Sequence, residues 1–151
     1  MITNPTPNDD KRPVLLCLSH LRWNFVFQRP QQVMTRLARS MDILFWEEPV
    51  FDAAGDRWIE RSSPAEGVEV LTPHLGGGLD PAEVEAQLRA KIDEALGERG
   101  AAVRWYYTPM MVPFTRHLES ECVVYDCMDE LANFDFAPAE LPGMERELFA
   151  M

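Results

Sequence analysis

The chain has 151 residues, of which 46% are hydrophobic, so it is long enough for one packed domain and too short for two full ones. Its formal net charge of −11 argues against nucleic-acid binding, which depends on many Lys and Arg side chains that neutralise phosphates. The same charge argues against a broad basic face for an anionic membrane, although net charge says nothing about how charges are distributed.

The cysteines and the first residues of the chain bear on its location. The chain has three cysteines, Cys17, Cys122 and Cys127, and most of their sequence neighbours are apolar. An odd number of cysteines in such surroundings predicts reduced thiols in a cytoplasmic protein. Residues 1–12 are polar and contain prolines, so we expect a flexible tail and not a signal peptide. A transmembrane helix needs about 18 consecutive apolar residues, and no apolar run in this sequence approaches that length. No further Cys or nearby His completes a metal site, so no metal is expected.

From residue 13 onward, apolar strands alternate with amphipathic helices. Continuous apolar runs predict strands at 14–18, 43–46, 68–71, 103–107 and 122–125. Apolar spacing, caps and prolines predict helices that begin near Pro30, Asp80 and Pro142, and a short helix over 112–118. Residues 51–66 are weakly patterned. This order predicts one α/β domain over residues 13–151. We expect it to be Rossmann-like and doubly wound, with a mostly parallel sheet of about five strands and helices on both faces.

The helix near Asp80 has the strongest start signal. Asp80 is the expected cap, Pro81 takes the first helical position and Glu83 the third, which is the pattern of a capping box. Apolar residues then recur at helical spacing as far as Leu96. We expect this helix to pack outside any ligand crevice.

Polar and aromatic residues collect directly after the predicted strands, at Ser19–Gln28, Glu47–Phe51, Thr108–Met111 and Asp126–Phe134. In an open parallel sheet, the carboxyl ends of the strands form the ligand crevice, so the site is expected there. No G-x-G-x-x-G pattern follows the first strand, and we therefore expect no nicotinamide or flavin cofactor.

Arg29 has two open interpretations. It lies at a helix start, where a guanidinium could clamp a phosphate or carboxylate of a ligand. It could equally pair with Glu47, Glu48 or Asp126 and only organise the crevice. Asp126 directly follows an apolar strand, which predicts burial with a defined partner. Carboxylates in this crevice could bind sugar hydroxyls or act as a general base.

Three segments together resemble a known family. Residues 20–32, HLRWNFVFQRPQQ, resemble the W-[DN]-x-x-x-Q-R-[PH]-[QH] segment of bacterial GT-B glycosyltransferases of the retaining, glycosyltransferase family 4-like group. Residues 124–131, VYDCMDEL, resemble a second segment of these enzymes, and residues 105–109, WYYTP, are similar to a third. The resemblance covers residues 14–150.

The resemblance implies an N-terminal, acceptor-side domain, which holds a sugar or lipid-linked acceptor while a C-terminal domain holds the nucleotide-sugar. Because the chain contains no such second domain, we expect an acceptor domain that is incomplete at its C-terminal end and inactive alone. Its partner would be a separate donor-binding domain or chain. An uncovered crevice also predicts self-association. The alternative is a non-catalytic Rossmann-like module that binds a sugar or a partner.

The resemblance also assigns roles to individual residues. The expected acceptor-binding residues are Trp23, Asn24, Gln28 and Arg29, with Asp126 and Asp129 beside them. His20 and Asp126 are the candidates for a catalytic role. His20 would face the transferred sugar or shape the loop that contains it.

Overall fold

The computed structural model describes residues 12–53, 58–127 and 139–151. The strands in these residues are β1 (Val14–Leu18), β2 (Asp42–Trp46), β3 (Trp58–Ala65), β4 (Val68–His74), β5 (Val103–Tyr106) and β6 (Cys122–Tyr125). The α-helices are α1 (Arg29–Leu37), α2 (Pro81–Leu96) and α3 (Leu141–Phe149). Short 3-10 helices cover Gly97–Arg99 and Pro109–Met111.

The strands form a single sheet in the order β3-β4-β2-β1-β5-β6. Every neighbouring pair is parallel except β3 and β4, which are antiparallel. All five residues of the central strand β1 are buried, as expected for a strand that is covered on both faces. The α/β, Rossmann-like, mostly parallel fold predicted from the sequence is therefore confirmed.

Two apolar layers cover the two faces of the sheet. Successive strand residues point to opposite faces, so Leu16 and Leu18 pack in one cluster and Leu15 and Cys17 in the other. The first cluster includes buried residues of α2 and α3, and the second includes Met34 of α1. Helices therefore lie on both faces, as predicted.

Two local predictions were wrong. The sheet has a sixth strand, β3, within the weakly patterned residues 51–66; it is a mostly exposed edge strand that pairs only with β4 in the described chain. An edge strand with few buried side chains carries no apolar pattern. The predicted short helix over 112–118 is absent from the structure, in which residues 113–117 form turns. The Thr115 hydroxyl donates to the carbonyl of Met111 at 2.5 Å, and this kind of local side-chain bond competes with helix formation.

The helix starts match the sequence predictions. The Glu83 amide donates to Asp80 Oδ1 at 2.8 Å, and the Asp80 amide donates to Glu83 Oε2 at 3.1 Å, which completes the capping box of α2. Helix α3 begins at Leu141, one residue before Pro142. Within residues 12–53, 58–127 and 139–151, no helix has the length and apolar character that crossing a bilayer requires.

Candidate functional site

The parallel strands end at one edge of the sheet, which we call the carboxyl edge. The segment between β1 and α1, residues 19–28, lies at this edge and is called the β1 loop. The segments that follow β2, β4, β5 and β6 reach the same edge. The described residues of the polar clusters that the sequence places after separate strands therefore lie at one edge, as the open-sheet rule predicts. Residues 128–134 of the last cluster lie outside the described residues.

Glu47, the first residue after β2, anchors the β1 loop. The backbone amide of Trp23 donates to Glu47 Oε2 at 2.6 Å, and the Thr72 hydroxyl donates to Glu47 Oε1 at 2.6 Å. Arg22 adds an ion pair with the same carboxylate at 3.4 Å. Glu47 is buried, so its charge requires these partners. The carboxylate is fully engaged in holding the loop against β2 and β4.

Gln31 anchors the same loop from helix α1. Its Nε2 donates to the carbonyl oxygens of Trp23 and Val26, both at 2.9 Å, and its Oε1 accepts from the Gln28 amide at 3.0 Å. The side chain is buried. The sequence analysis did not predict this role for Gln31. The signal that could have revealed it is the helical spacing, which places Gln31 beside Pro30 on the buried face of α1.

Arg29 pairs with Asp126, which was one of the two interpretations left open. Arg29 Nη2 lies 2.6 Å from Asp126 Oδ1, with side chains that are 61% and 8% exposed respectively. The pair ties the start of α1 to the end of β6. Burial raises the pKa of the Cys17 thiol and of the Tyr107 hydroxyl, and the nearby Asp126 carboxylate raises both further. Arg29 is thus the ion-pair partner of the nearly buried Asp126 carboxylate.

The other predicted site residues occupy different environments. The Trp23 ring is buried and packs edge-on against Phe45, with ring centroids 5.1 Å apart, so its position is in the core. Asn24 and Gln28 are exposed, and His20 is half-buried immediately after β1. Asp129 lies outside the described residues.

A cavity of about 620 Å³ opens at the carboxyl edge. Its walls come from the segments after β2, β4 and β5, from the first turns of α2 and from α3. Most of the lining side chains are apolar, including Phe51, Leu79, Leu88, Met110, Phe114 and Met144. The expectation that α2 packs outside the crevice was wrong, because Pro81, Val84 and Leu88 line the cavity. The volume and apolar walls are those of a small-molecule pocket.

The charged groups of the cavity are acidic. Glu48 and Glu85 line it, and its lining within the described chain contains no Lys, Arg or His. Burial raises the pKa of the Glu48 carboxyl, and the positive charge of Arg22 opposes part of that rise. Arg22 also donates to the Glu48 carbonyl oxygen at 2.7 Å, which joins the β1 loop to the rim of the cavity. The cavity suits a neutral or cationic ligand and disfavours an anion.

Comparisons with known proteins give one structural likeness. No protein-family model matches the chain, and no curated protein matches it by sequence. The fold is similar to a solved structure described as "Trehalose-6-phosphate from E. coli bound with UDP-2-fluoro glucose", with a TM-score of 0.52 and 8% sequence identity. The likeness covers 90% of this chain and 38% of that chain. The chain is thus similar to little more than a third of that protein, and what the two share is a Rossmann-type, GT-B-like fold.

Proposed function

We propose that this chain is the acceptor-binding half of a glycosyltransferase that moves a sugar from a nucleotide-sugar to a lipid-linked acceptor in cytoplasmic polysaccharide or glycolipid synthesis. The observation that carries the proposal is the apolar cavity of about 620 Å³ at the carboxyl edge, beside a tightly anchored β1 loop. The glycosyltransferase-like fold supports the reaction class. The apolar walls support a hydrocarbon-bearing acceptor over a free sugar.

The charge of the cavity favours the acceptor over the donor as its ligand. A nucleotide-sugar carries a diphosphate, which proteins hold with basic side chains and free helix N-termini. The cavity instead presents Glu48 and Glu85, and Asp80 already caps the N-terminus of α2 beside it. The donor would therefore be bound by a separate domain or chain.

The predicted site residues would then have two kinds of role: some would contact the sugars, and one would hold the β1 loop in position. The Glu48 carboxylate at the cavity rim would accept hydrogen bonds from the sugar hydroxyls of the acceptor. The exposed side-chain amides of Asn24 and Gln28 would both donate to these hydroxyls and accept from them. His20 remains our candidate for contact with the transferred sugar, and Asp129 for the acceptor side. Asp126 would act through Arg29 by fixing the start of α1 and the β1 loop. In the reaction, an acceptor hydroxyl would attack the anomeric carbon as the bond to the nucleoside diphosphate breaks, with retention of configuration. The leaving diphosphate oxygen would take the proton of the hydroxyl.

Isothermal titration of the chain with hexyl glucoside, glucose and UDP-glucose tests the assignment. We expect hexyl glucoside to bind more tightly than glucose, because its alkyl chain enters the cavity, and UDP-glucose not to bind. Met110→Arg places a charge in the cavity and should abolish hexyl glucoside binding. Met151→Arg makes the same change at an exposed position outside the cavity and should leave binding intact.

Two results would overturn the proposal. One is binding of UDP-glucose in preference to hexyl glucoside. The other is equal behaviour of the two Met→Arg variants at unchanged melting midpoints. If glycolipid binds but no sugar transfer occurs when a donor-binding domain is supplied, the non-catalytic binding module is the correct reading.

A further inference from the structure

Positive charge is concentrated in one segment of this acidic chain. Residues 19–41, which we call the basic segment, contain four arginines and no Asp or Glu, whereas the whole chain has a net charge of −11. The segment comprises the β1 loop, helix α1 and the turn that follows it. The arginines are Arg22, Arg29, Arg36 and Arg39.

The β1 loop also exposes three consecutive apolar side chains, which we call the apolar tip. Phe25, Val26 and Phe27 are 74%, 48% and 65% exposed. Their backbone is nevertheless held in place: the Phe25 amide donates to the Arg22 carbonyl at 3.2 Å, and Gln31 Nε2 donates to the Val26 carbonyl at 2.9 Å. Apolar side chains fixed in water by buried polar anchors indicate a surface that another phase or molecule covers.

The exposed face of α1 continues from this tip as a basic surface. Pro30, Gln31 and Met34 form the buried face of the helix. At about 100° per residue, Arg29 and Arg36 lie on the opposite side, and Arg39 lies just beyond the end of α1; all three side chains are exposed. The segment thus places an apolar projection at the end of a basic face.

We propose that the basic segment docks this protein on an anionic lipid bilayer, with the apolar tip inserted among the headgroups and the exposed Arg36 and Arg39 against lipid phosphates. Arg22 and Arg29 already pair with Glu47 and Asp126 and hold the segment in place. A bilayer interface offers anionic headgroups around an apolar interior, which matches both parts of the segment. At physiological salt the Debye length is about 8 Å, so the acidic remainder of the chain is largely screened from the membrane surface.

The tip and the cavity are connected through one side chain. Arg22 belongs to the β1 loop, and it donates to the carbonyl of Glu48, which lines the cavity. Docking would therefore hold the carboxyl edge near the membrane, where a lipid-linked acceptor resides. The docking itself does not depend on the proposed transferase function.

Co-sedimentation of the full chain with vesicles tests the proposal. We expect binding to vesicles of phosphatidylcholine with phosphatidylglycerol, little binding to phosphatidylcholine alone, and weakening with added salt. The double substitution Arg36→Gln and Arg39→Gln should lower partitioning by about 25-fold, at about fivefold per arginine. The matched double substitution Arg61→Gln and Arg116→Gln, at exposed arginines outside the basic segment, should leave it unchanged.

A second pair of variants isolates the apolar tip. Phe25→Ser should reduce partitioning at least tenfold, while Phe149→Ser, at a side chain that is 68% exposed elsewhere, should not. Loss of partitioning to the same extent in the control variants, or no binding to anionic vesicles, would overturn the proposal. So would a Phe25-dependent oligomer in sedimentation without vesicles and no vesicle binding, which would identify a second copy as the occupant. Met110→Arg should leave vesicle binding intact, so failure of the cavity assignment and failure of docking are distinguishable.

Discussion

Glu47 offers the sharpest test of how the carboxyl edge is built. Glu47→Ala removes the acceptor of both the Trp23 amide and the Thr72 hydroxyl, while Glu47→Gln keeps the shape of the side chain. A glutamine in this position can still accept from Trp23 through its oxygen and donate to Thr72 through its nitrogen, because a hydroxyl is both donor and acceptor. The two substitutions therefore separate the hydrogen bonds from the charge.

The expected losses of stability differ in size. Each hydrogen bond to a charged group contributes about 1.5–3 kcal/mol, and Glu47→Ala leaves two donors without their partner. We expect this substitution to cost about 3 kcal/mol, which lowers the melting midpoint by about 6–12 °C in a chain of this size. Glu47→Gln loses only the charge and its pairing with Arg22, for about 1 kcal/mol.

Urea denaturation and hydrogen exchange of the β1 loop measure these effects. Amides of residues 19–28 should lose protection in Glu47→Ala well before the strands do. Glu69→Ala is the control, because it removes a carboxylate that pairs with Arg61 on the exposed surface of the sheet edge and should cost less than about 1 kcal/mol. Equal losses in the Ala and Gln variants of Glu47, or unchanged exchange in the loop, would refute the anchoring role.

Three further perturbations address other parts of the structure. Asp80→Ala should lower the free energy of unfolding, measured in urea, by about 1 kcal/mol because α2 loses its cap. The control Glu98→Ala, at an exposed side chain, should change it by less than about 0.5 kcal/mol. Equal effects of the two substitutions would contradict the capping role of Asp80. The raised pKa of Glu48 means that its ionisation disfavours the fold, so stability is lost as pH rises above its ordinary value of 4.5. Glu48→Gln should therefore raise the melting midpoint at neutral pH and not at a pH below 4.5, and a pH-independent effect would argue against this cause. Ellman's reagent should modify two of the three thiols in the native protein and Cys17 only after denaturation, whereas native labelling of Cys17 would contradict its burial.

The strands that the sequence predicted are those whose burial leaves a local pattern. The central strand β1 is covered on both faces, and its continuous apolar run reports this directly. The edge strand β3 is held by backbone hydrogen bonds to β4 and exposes most of its side chains, so nothing in its composition separates it from a loop. Its existence depends on a neighbour and not on its own residues.

The sequence predicted where the site lies in the fold, but it did not predict which side chains pair with each other there. The carboxyl-edge rule needs only the order of strands and helices, and that order was recognisable. Several acidic residues were chemically suitable ion-pair partners for Arg29. Only the folded geometry selects Asp126, which is 97 positions away in the chain. The cavity was not foreseen, because its walls come from five separate segments whose shapes do not depend on local patterns.

The polar side chains that distinguish the carboxyl edge in the sequence are largely engaged with one another. Glu47 and Gln31 hold the β1 loop, and Asp126 is neutralised by Arg29. What remains for a ligand is mostly the apolar wall of the cavity, so the selectivity of the proposed acceptor site should depend on hydrocarbon length more than on the sugar. In a series of alkyl glucosides below their micelle concentrations, each added methylene should strengthen binding about fourfold, at about 0.8 kcal/mol per buried methylene, until the cavity is filled. Replacing glucose by galactose in the same series should change affinity by less than one methylene does. Affinity that ignores chain length but follows the sugar would show that the exposed polar groups, and not the cavity, select the acceptor.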